Sequence, residues 1–283
     1  MATQRTPRAL ILADGSRPEM RSTVDRLRPV IEKHLEVAAV SLDFAAPLDT
    51  TNVDLAIVFG GDGSILRAAR QMDHQQRPVL GVNLGRLGFL AALQPEQLEA
   101  ALPEIAAGRH LVNEHLMFEC THLRAGKPLC QVLGLNEAEV LAGPPFTLLD
   151  VQLYVDGELV TTYSCDGLIV STPIGSTAHN LSAGGPILRN NLQAFVFSPI
   201  SPHTLTNRPV VDSADRTIEM AVPRPNEGTS LVVDGRVLGT LEPNDRVRIV
   251  RSDAMFQTVE VRGQSYYRTL REKLGWGGQL KLS

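Results

Sequence analysis

Apolar and polar positions follow two different periods along this chain, and the change of period divides it. Residues 9–13 form a short apolar run that stops at Asp14-Gly15, the pattern of a buried strand ended by a turn. From about Pro18 to Val37, Met20, Val24, Leu27, Val30 and Ile31 recur every three or four residues with charges between them, which predicts an amphipathic helix. A second apolar run spans Leu55 to Phe59, then a glycine-rich turn at Gly60 to Gly63. Helix-favouring Ser64 to Arg70 and a third strand at Val79 to Val82 follow. This βαβαβ alternation predicts a parallel sheet covered by helices. Such sheets bind ligands at the carboxyl ends of their strands, where the glycine turn should lie.

Beyond a predicted helix at Pro95 to Ala106 the period shortens to two, broken by turn dipeptides such as Asp156-Gly157. Helix signals fade from about residue 108 to 262, and the strand spacing fits a sandwich or barrel. Tyr266 to Leu274 returns to helical spacing, with Gly275-Trp276-Gly277-Gly278 as its stop. The expected organisation is an α/β domain at 1–108, to which 263–283 returns with its helix packed back, and a mainly β domain at 109–262.

Composition narrows the classes. A chain of 283 residues fits two modest domains, at roughly 100 to 200 residues each. With 43% hydrophobic and 20% charged residues it can build a real core, and a formal net charge of −4 argues against nucleic-acid binding. Cys120, Cys130 and Cys165 form no CxxC pair, and neither a secretory signal nor an apolar stretch of membrane length is present. The expectation is a soluble, cytoplasmic protein without a membrane partner.

Several stretches are too polar or too rich in glycine to be explained by packing alone. Phe59-Gly60-Gly61-Asp62-Gly63-Ser64 sits between a buried strand and a helix, where glycines allow close backbone approach and amides face an anion. Asp62 reads either as ordinary turn chemistry or as a carboxylate that holds a metal or takes a proton in phosphoryl transfer. The spacing matches neither a Walker A loop nor GxGxxG. Asn136-Glu137 ends an apolar segment, as an exposed strand end or as a pair that grips a sugar or amide. Ser164 to Pro186 joins hydroxyls (Ser171, Thr172, Ser176, Thr177, Ser182) to Gly175, Gly184 and Gly185, as a surface loop or a ligand grip. His179 is a packed imidazole or one that stacks and titrates, and Asp234-Gly235 reads as a hairpin turn.

Taken in order, GGDGS, NLGRLGFL at 83–90, Asn136-Glu137, DGLIVSTPIGSTAHNLSAGGPI at 166–187, SPISPHTLTNRPVV at 198–211 and LREKLGWG at 270–277 resemble the NAD kinase family nearly end to end. The resemblance implies NAD held between an α/β and a β domain, with ATP or polyphosphate as donor and a divalent metal, Mg2+, bridging the triphosphate. It implies that Asp62 orients or deprotonates the 2′-hydroxyl and that Gly60, Gly61, Gly63 and Ser64 form the phosphate loop. Gly63, Asn136, Glu137, Thr172, Gly175, Ser176, Thr177, Ala178 and His179 would contact NAD, with Asp234 carried in the same set. Asp166 would contact ligand from a neighbouring subunit of a homo-dimer or homo-tetramer. No residue is assigned to the metal. Where the family reads TPTGSTAY this chain reads Thr172-Pro173-Ile174-Gly175-Ser176-Thr177-Ala178-His179, losing a hydroxyl and a tyrosine. A catalytically weak NAD(P)-binding regulator and a lipid kinase sharing GGDG are the rival readings.

Overall fold

The structure is a computed structural model that describes residues 5–45, 48–85, 88–91, 93–204, 207–262 and 265–275. Arg86 and Leu87 of the NLGRLGFL motif, Leu205 and Thr206 of SPISPHTLTNRPVV, and the expected stop Trp276-Gly277-Gly278 lie outside these residues. In chain order the elements are β1 (Arg8–Ala13), α1 (Pro18–Glu32), β2 (Glu36–Ser41), β3 (Leu55–Phe59), α2 (Asp62–Met72), β4 (Val79–Val82), α3 (Pro95–Ala106) and β5 (Leu111–Arg124). Then come β6 (Lys127–Gly134), β7 (Glu137–Leu141), β8 (Leu149–Val155), β9 (Glu158–Cys165), β10 (Gly167–Ser171), a 3-10 turn at Gly175–Thr177 and α4 (His179–Ser182). The chain finishes with β11 (Ala194–Ile200), β12 (Val210–Ser213), β13 (Ile218–Ala221), β14 (Ser230–Val233), β15 (Arg236–Thr240), β16 (Arg246–Glu260) and α5 (Tyr266–Leu274).

Two compact units result, residues 1–114 with 256–283, and residues 115–255. In the first, β2, β1, β3 and β4 pair in parallel in that order, and Thr258 of β16 pairs with Val79 of β4. Ala9, Ile11, Ile57 and Phe59 turn one sheet face toward Met20, Val24, Leu27 and Ile31 of α1 and Leu98, Leu102 and Ile105 of α3. On β4, Gly81 makes room for α2 and the 88–91 segment, since a Cβ there would come 2.7 Å from the Ile65 side chain and 2.8 Å from Ala91. β1 lies between β2 and β3, so the order reverses there, and the turn after β3 sits at that switch point.

The predicted α1 is too long. It ends at Glu32, and residues 36–41 form the edge strand β2, whose mixed exposure gives no clean period of two. α2 starts earlier than expected, at Asp62, and runs to Met72. α5 forms where predicted, ends on Gly275 at φ 62°, and belongs to the first unit.

In the second unit, β12-β11-β10-β7-β14-β15 form an antiparallel sheet, and the segments of β5, β8, β9, β13 and β16 lying in this unit share its core. Ala138, Val140, Leu168, Val170, Phe195, Phe197, Leu231 and Val233 of that sheet meet Phe118, Val151, Ile218, Met220, Val247 and Ile249. The strand hydrogen bonds, the alternating burial and this single apolar layer make the unit a sandwich. Asp156-Gly157 and Asp234-Gly235 both form two-residue hairpins with φ of 50° and 84°, and 48° and 72°, a geometry that suits glycine second. The expectation of a helix-free stretch is corrected by α4, a four-residue helix too short to show a period.

Candidate functional site

Strand alternation decides what the six-stranded sheet shows on its two faces. Ala138 and Val140 enter the core, so Glu137 and Glu139 point the other way, beside Ser171 and Ile169 of β10 and, further along the row, Ser198 of β11. The segment from Thr172 to Leu188 covers this second face and is fastened to it at each end. The Thr172 hydroxyl donates to the Leu135 carbonyl at 2.6 Å, and the Thr172 amide donates to the Asn136 carbonyl at 2.9 Å. Gly175 is needed for that approach, because a Cβ would stand 2.1 Å from the Asn136 carbonyl oxygen. Further on, buried Asn180 accepts from Ser198 at 2.6 Å and donates to the Ser176 and Pro186 carbonyls, both at 3.1 Å. Ser176 and Thr177 donate back to the Pro173 and Ile174 carbonyls, so these hydroxyls first of all shape their own loop.

Two acids on this face, Glu137 and Glu139, are buried, and half-buried Asp234 stands beside them. Asp234 accepts from the amides of Leu135 (2.9 Å), Asn136 (2.7 Å) and Glu137 (3.2 Å), and thereby fixes the backbone of the Asn136-Glu137 pair. His179 places its Nδ1 2.5 Å from Glu139 Oε1, with Glu139 buried and the imidazole half-exposed. Burial pushes the Glu139 carboxyl up while His179 pulls it back. Burial also drives Glu137 up to about 9, with the charges of Glu139 and Asp234 adding to the effect. Glu137 Oε2 has no hydrogen-bond partner among the described residues.

The first unit builds around Asp62, the first residue of α2. Its Oδ2 accepts from the Phe89 amide at 2.8 Å, and its Oδ1 accepts from Leu90 and Ala91, each at 3.0 Å. A Cβ on Gly88 would lie 2.0 Å from Asp62 Oδ1, so this close seat requires glycine. Gly60 takes φ 141° and leaves its missing side chain's place to the Ser64 hydroxyl. Gly61 and Gly63 differ: neither has positive φ, and a Cβ on either would meet no atom within 4 Å. Nothing within the chain demands glycine there, whereas a polyanion against the start of an 11-residue helix would. Lys273 of α5 stands 4.6 Å over the Phe89 ring, supporting the same loop from outside.

The predicted residues therefore gather into two clusters, Gly60 to Ser64 in one unit, and Asn136, Glu137, Thr172, Gly175 to His179 and Asp234 in the other. Asp166 is set apart. It precedes β10 while Thr172 follows it, a strand length of roughly 20 Å at about 3.3 Å per residue. Glu139, Asn180 and Ser198 escaped the motif reading, although the alternation Glu137-Ala138-Glu139-Val140 marks Glu139 as the partner of Glu137 on one face. A cavity of about 680 Å³ between α3 and α5, lined by Gln97, Ala100, Arg262, Arg268 and Thr269 among others, holds none of the predicted residues. Among the described residues no group of three His, Cys, Asp or Glu could hold a metal ion, and no helix is long and apolar enough to cross a membrane.

Comparison with known proteins points one way. Residues 15–110 match the model of the ATP-NAD kinase N-terminal domain, and residues 135–261 that of the ATP-NAD kinase C-terminal domain. The chain is 56% identical to the NAD kinase of Rhodopirellula baltica over 278 residues, 98% of this chain and 89% of that protein. It is 38% identical to the NAD kinase of Geotalea daltonii, covering 89% of each. Among solved structures, yeast NADH kinase complexed with NADH superposes with a TM-score of 0.83 at 25% identity, over 99% of this chain and 91% of that one. An NAD kinase from Archaeoglobus fulgidus in complex with ATP gives 0.72 at 31% identity, over 95% and 98%.

Proposed function

The chain belongs to the NAD kinase family, and from that premise we propose that it moves the terminal phosphoryl group of ATP onto the adenosine-ribose 2′-hydroxyl of NAD, with Asp62 as the group that receives the hydroxyl proton. The carrying observation is the seat of Asp62. Three amides hold its carboxylate beside two glycines with open faces, and among the described residues Oδ2 accepts only one hydrogen bond. A carboxylate oxygen can accept two, so Oδ2 keeps a position for the substrate hydroxyl. As the hydroxyl oxygen bonds to phosphorus its proton passes to Asp62, the bond from that phosphorus to the bridging oxygen breaks, and ADP leaves.

The amides at the start of α2, freed by Gly61 and Gly63, take the phosphates, and the Asn136-Glu137 pair held by Asp234 takes the NAD. Among the described residues no three-ligand cluster stands ready for a metal, so a divalent ion carried by the triphosphate would meet Asp62, the carboxylate of the glycine turn. Bound there, Mg2+ would neutralise phosphate charge. Ionic steps aside, the exposure of Asp166 and its distance from the second cluster support its reaching a ligand only from another copy of the chain, in a homo-oligomer. Neither the regulator nor the lipid-kinase reading is favoured by any contact described above.

The test is NADP formation from NAD, ATP and Mg2+, with Asp62→Asn beside the wild type. The variant should lose on the order of 10²- to 10⁴-fold in kcat while NAD affinity is kept. A wild type that binds NAD but makes no NADP from NAD or NADH would end the phosphotransferase reading in favour of the regulator.

A further inference from the structure

We propose that Glu137 meets the dinucleotide as a neutral carboxylic acid and donates a hydrogen bond to it, because the His179 imidazole that reaches its face of β7 is held by Glu139, and among the described residues no ion pair reaches Glu137. This rests on the reading of the second cluster as the NAD site.

The argument begins with the strand. Glu137 and Glu139 are two residues apart, so both side chains leave β7 on the same side, with exposures of 5% and 3%. His179 Nδ1 stands 2.5 Å from Glu139 Oε1. Around Glu137, β7 offers Glu139, the turn after β14 offers the Asp234 carboxylate, β10 offers the uncharged Ser171 opposite it, and α4 offers only the imidazole already engaged. Among the described residues no ion pair reaches Glu137, and its Oε2 accepts or donates nothing. An uncompensated carboxylate in such surroundings costs several kcal/mol, and a carboxyl avoids that cost by keeping its proton. Burial and the two neighbouring acids push Glu137 in the same direction, to about 9.

The functional consequence concerns specificity. A protonated acid donates through one oxygen and accepts through the other, so Glu137 can serve a ligand acceptor and a ribose hydroxyl at once. Being neutral, it gives no electrostatic preference for the cationic nicotinamide ring of NAD over the uncharged ring of NADH. His179, standing where the family carries tyrosine, partners Glu139 and leaves Glu137 without an ion pair among the described residues.

Carbon-13 NMR of selectively labelled glutamate carboxyls in the ligand-free protein should show one resonance that titrates above neutrality and disappears in Glu137→Gln. A Glu137 resonance that titrates with the exposed carboxylates overturns the proposal. Calorimetry with NAD and NADH should give wild-type affinities within about threefold of each other at neutral pH, and a fall in wild-type affinity as pH rises toward about 9 that Glu137→Gln lacks. An affinity fall toward about 9 that persists in Glu137→Gln would also overturn it. Folding stability offers a third reading. The folded state keeps a proton that the unfolded chain releases near 4.5, so stability falls as pH rises from there to about 9, and Glu137→Gln should flatten that slope. If Glu137 titrates high but no dinucleotide binds at any pH, the NAD site reading fails while the neutral acid stands.

Discussion

Each unit contains an aspartate that gathers three consecutive backbone amides, and the two seats are almost superposable as hydrogen-bond diagrams. Asp62 collects residues 89, 90 and 91, and Asp234 collects 135, 136 and 137. Their settings differ. Asp234 lies in a tight turn between β14 and β15, and its amides belong to a segment that Thr172 clamps from the other side. Asp62 opens a helix, between two glycines that face open space, and its amides belong to a short loop braced by Lys273. The same carboxylate geometry thus fixes a clamped segment in one place, and in the other a short loop at the start of a helix, where the proposed chemistry would act.

The comparison breaks if the two aspartates prove equivalent. Asp234→Asn turns an amide group toward backbone N–H donors and should destabilise the protein by roughly 2–4 kcal/mol, seen as a shift of the denaturant midpoint. Asp62→Asn, whose amide partners belong to a short loop and not to a clamped segment, should cost about 1 kcal/mol while losing activity far beyond its unfolded fraction. Equal midpoints, with activity following the folded fraction in both, would reduce Asp62 to a structural role.

The glycines sharpen the contrast within one unit. Gly88→Ala forces its Cβ into Asp62 Oδ1 and should lower kcat about tenfold with a stability cost of roughly 1–3 kcal/mol. Gly61→Ala meets nothing in the chain, so stability should change by less than about 0.5 kcal/mol while KM for ATP rises. An unchanged KM would remove the phosphates from Gly61. The smallest effect belongs to Lys273→Met, which removes a cation over Phe89 worth about 0.5–1 kcal/mol. It should lower kcat slightly without altering NAD affinity, whereas a change in affinity alone would contradict its assignment to the Asp62 loop.

Much of this was legible in the sequence because packing imposes periods on it. Residues 9–13, 55–59 and 79–82 are buried on both sheet faces and read as unbroken apolar runs. β2 did not, since an edge strand with mixed exposure has no period to show. The glycine turn and the Asn136-Glu137 pair stood out by composition, and family resemblance joined them. What stayed hidden is long-range by nature: that Asp62 is seated by residues 89–91, that Asp234 is seated under Asn136, and that His179 meets Glu139. No local pattern encodes a hydrogen bond across 40 residues of chain. Even so, the spacing of Glu137 and Glu139 would have been enough to suspect a shared charge.

The interrupted course of the first unit has a consequence for how the protein is made. Residues 115–255 are contiguous and can close their sandwich as they leave the ribosome, but the first unit waits for residues that follow them. Until Thr258 arrives the Val79 end of β4 has one edge unpaired, its other end being bridged to Leu93, and until Lys273 arrives the loop that seats Asp62 has no outer brace. A nascent chain therefore completes the cluster around Asn136-Glu137 before the seat of Asp62 is braced. During that interval the Val79 end of β4 is an open apolar edge, of the kind through which half-made copies pair.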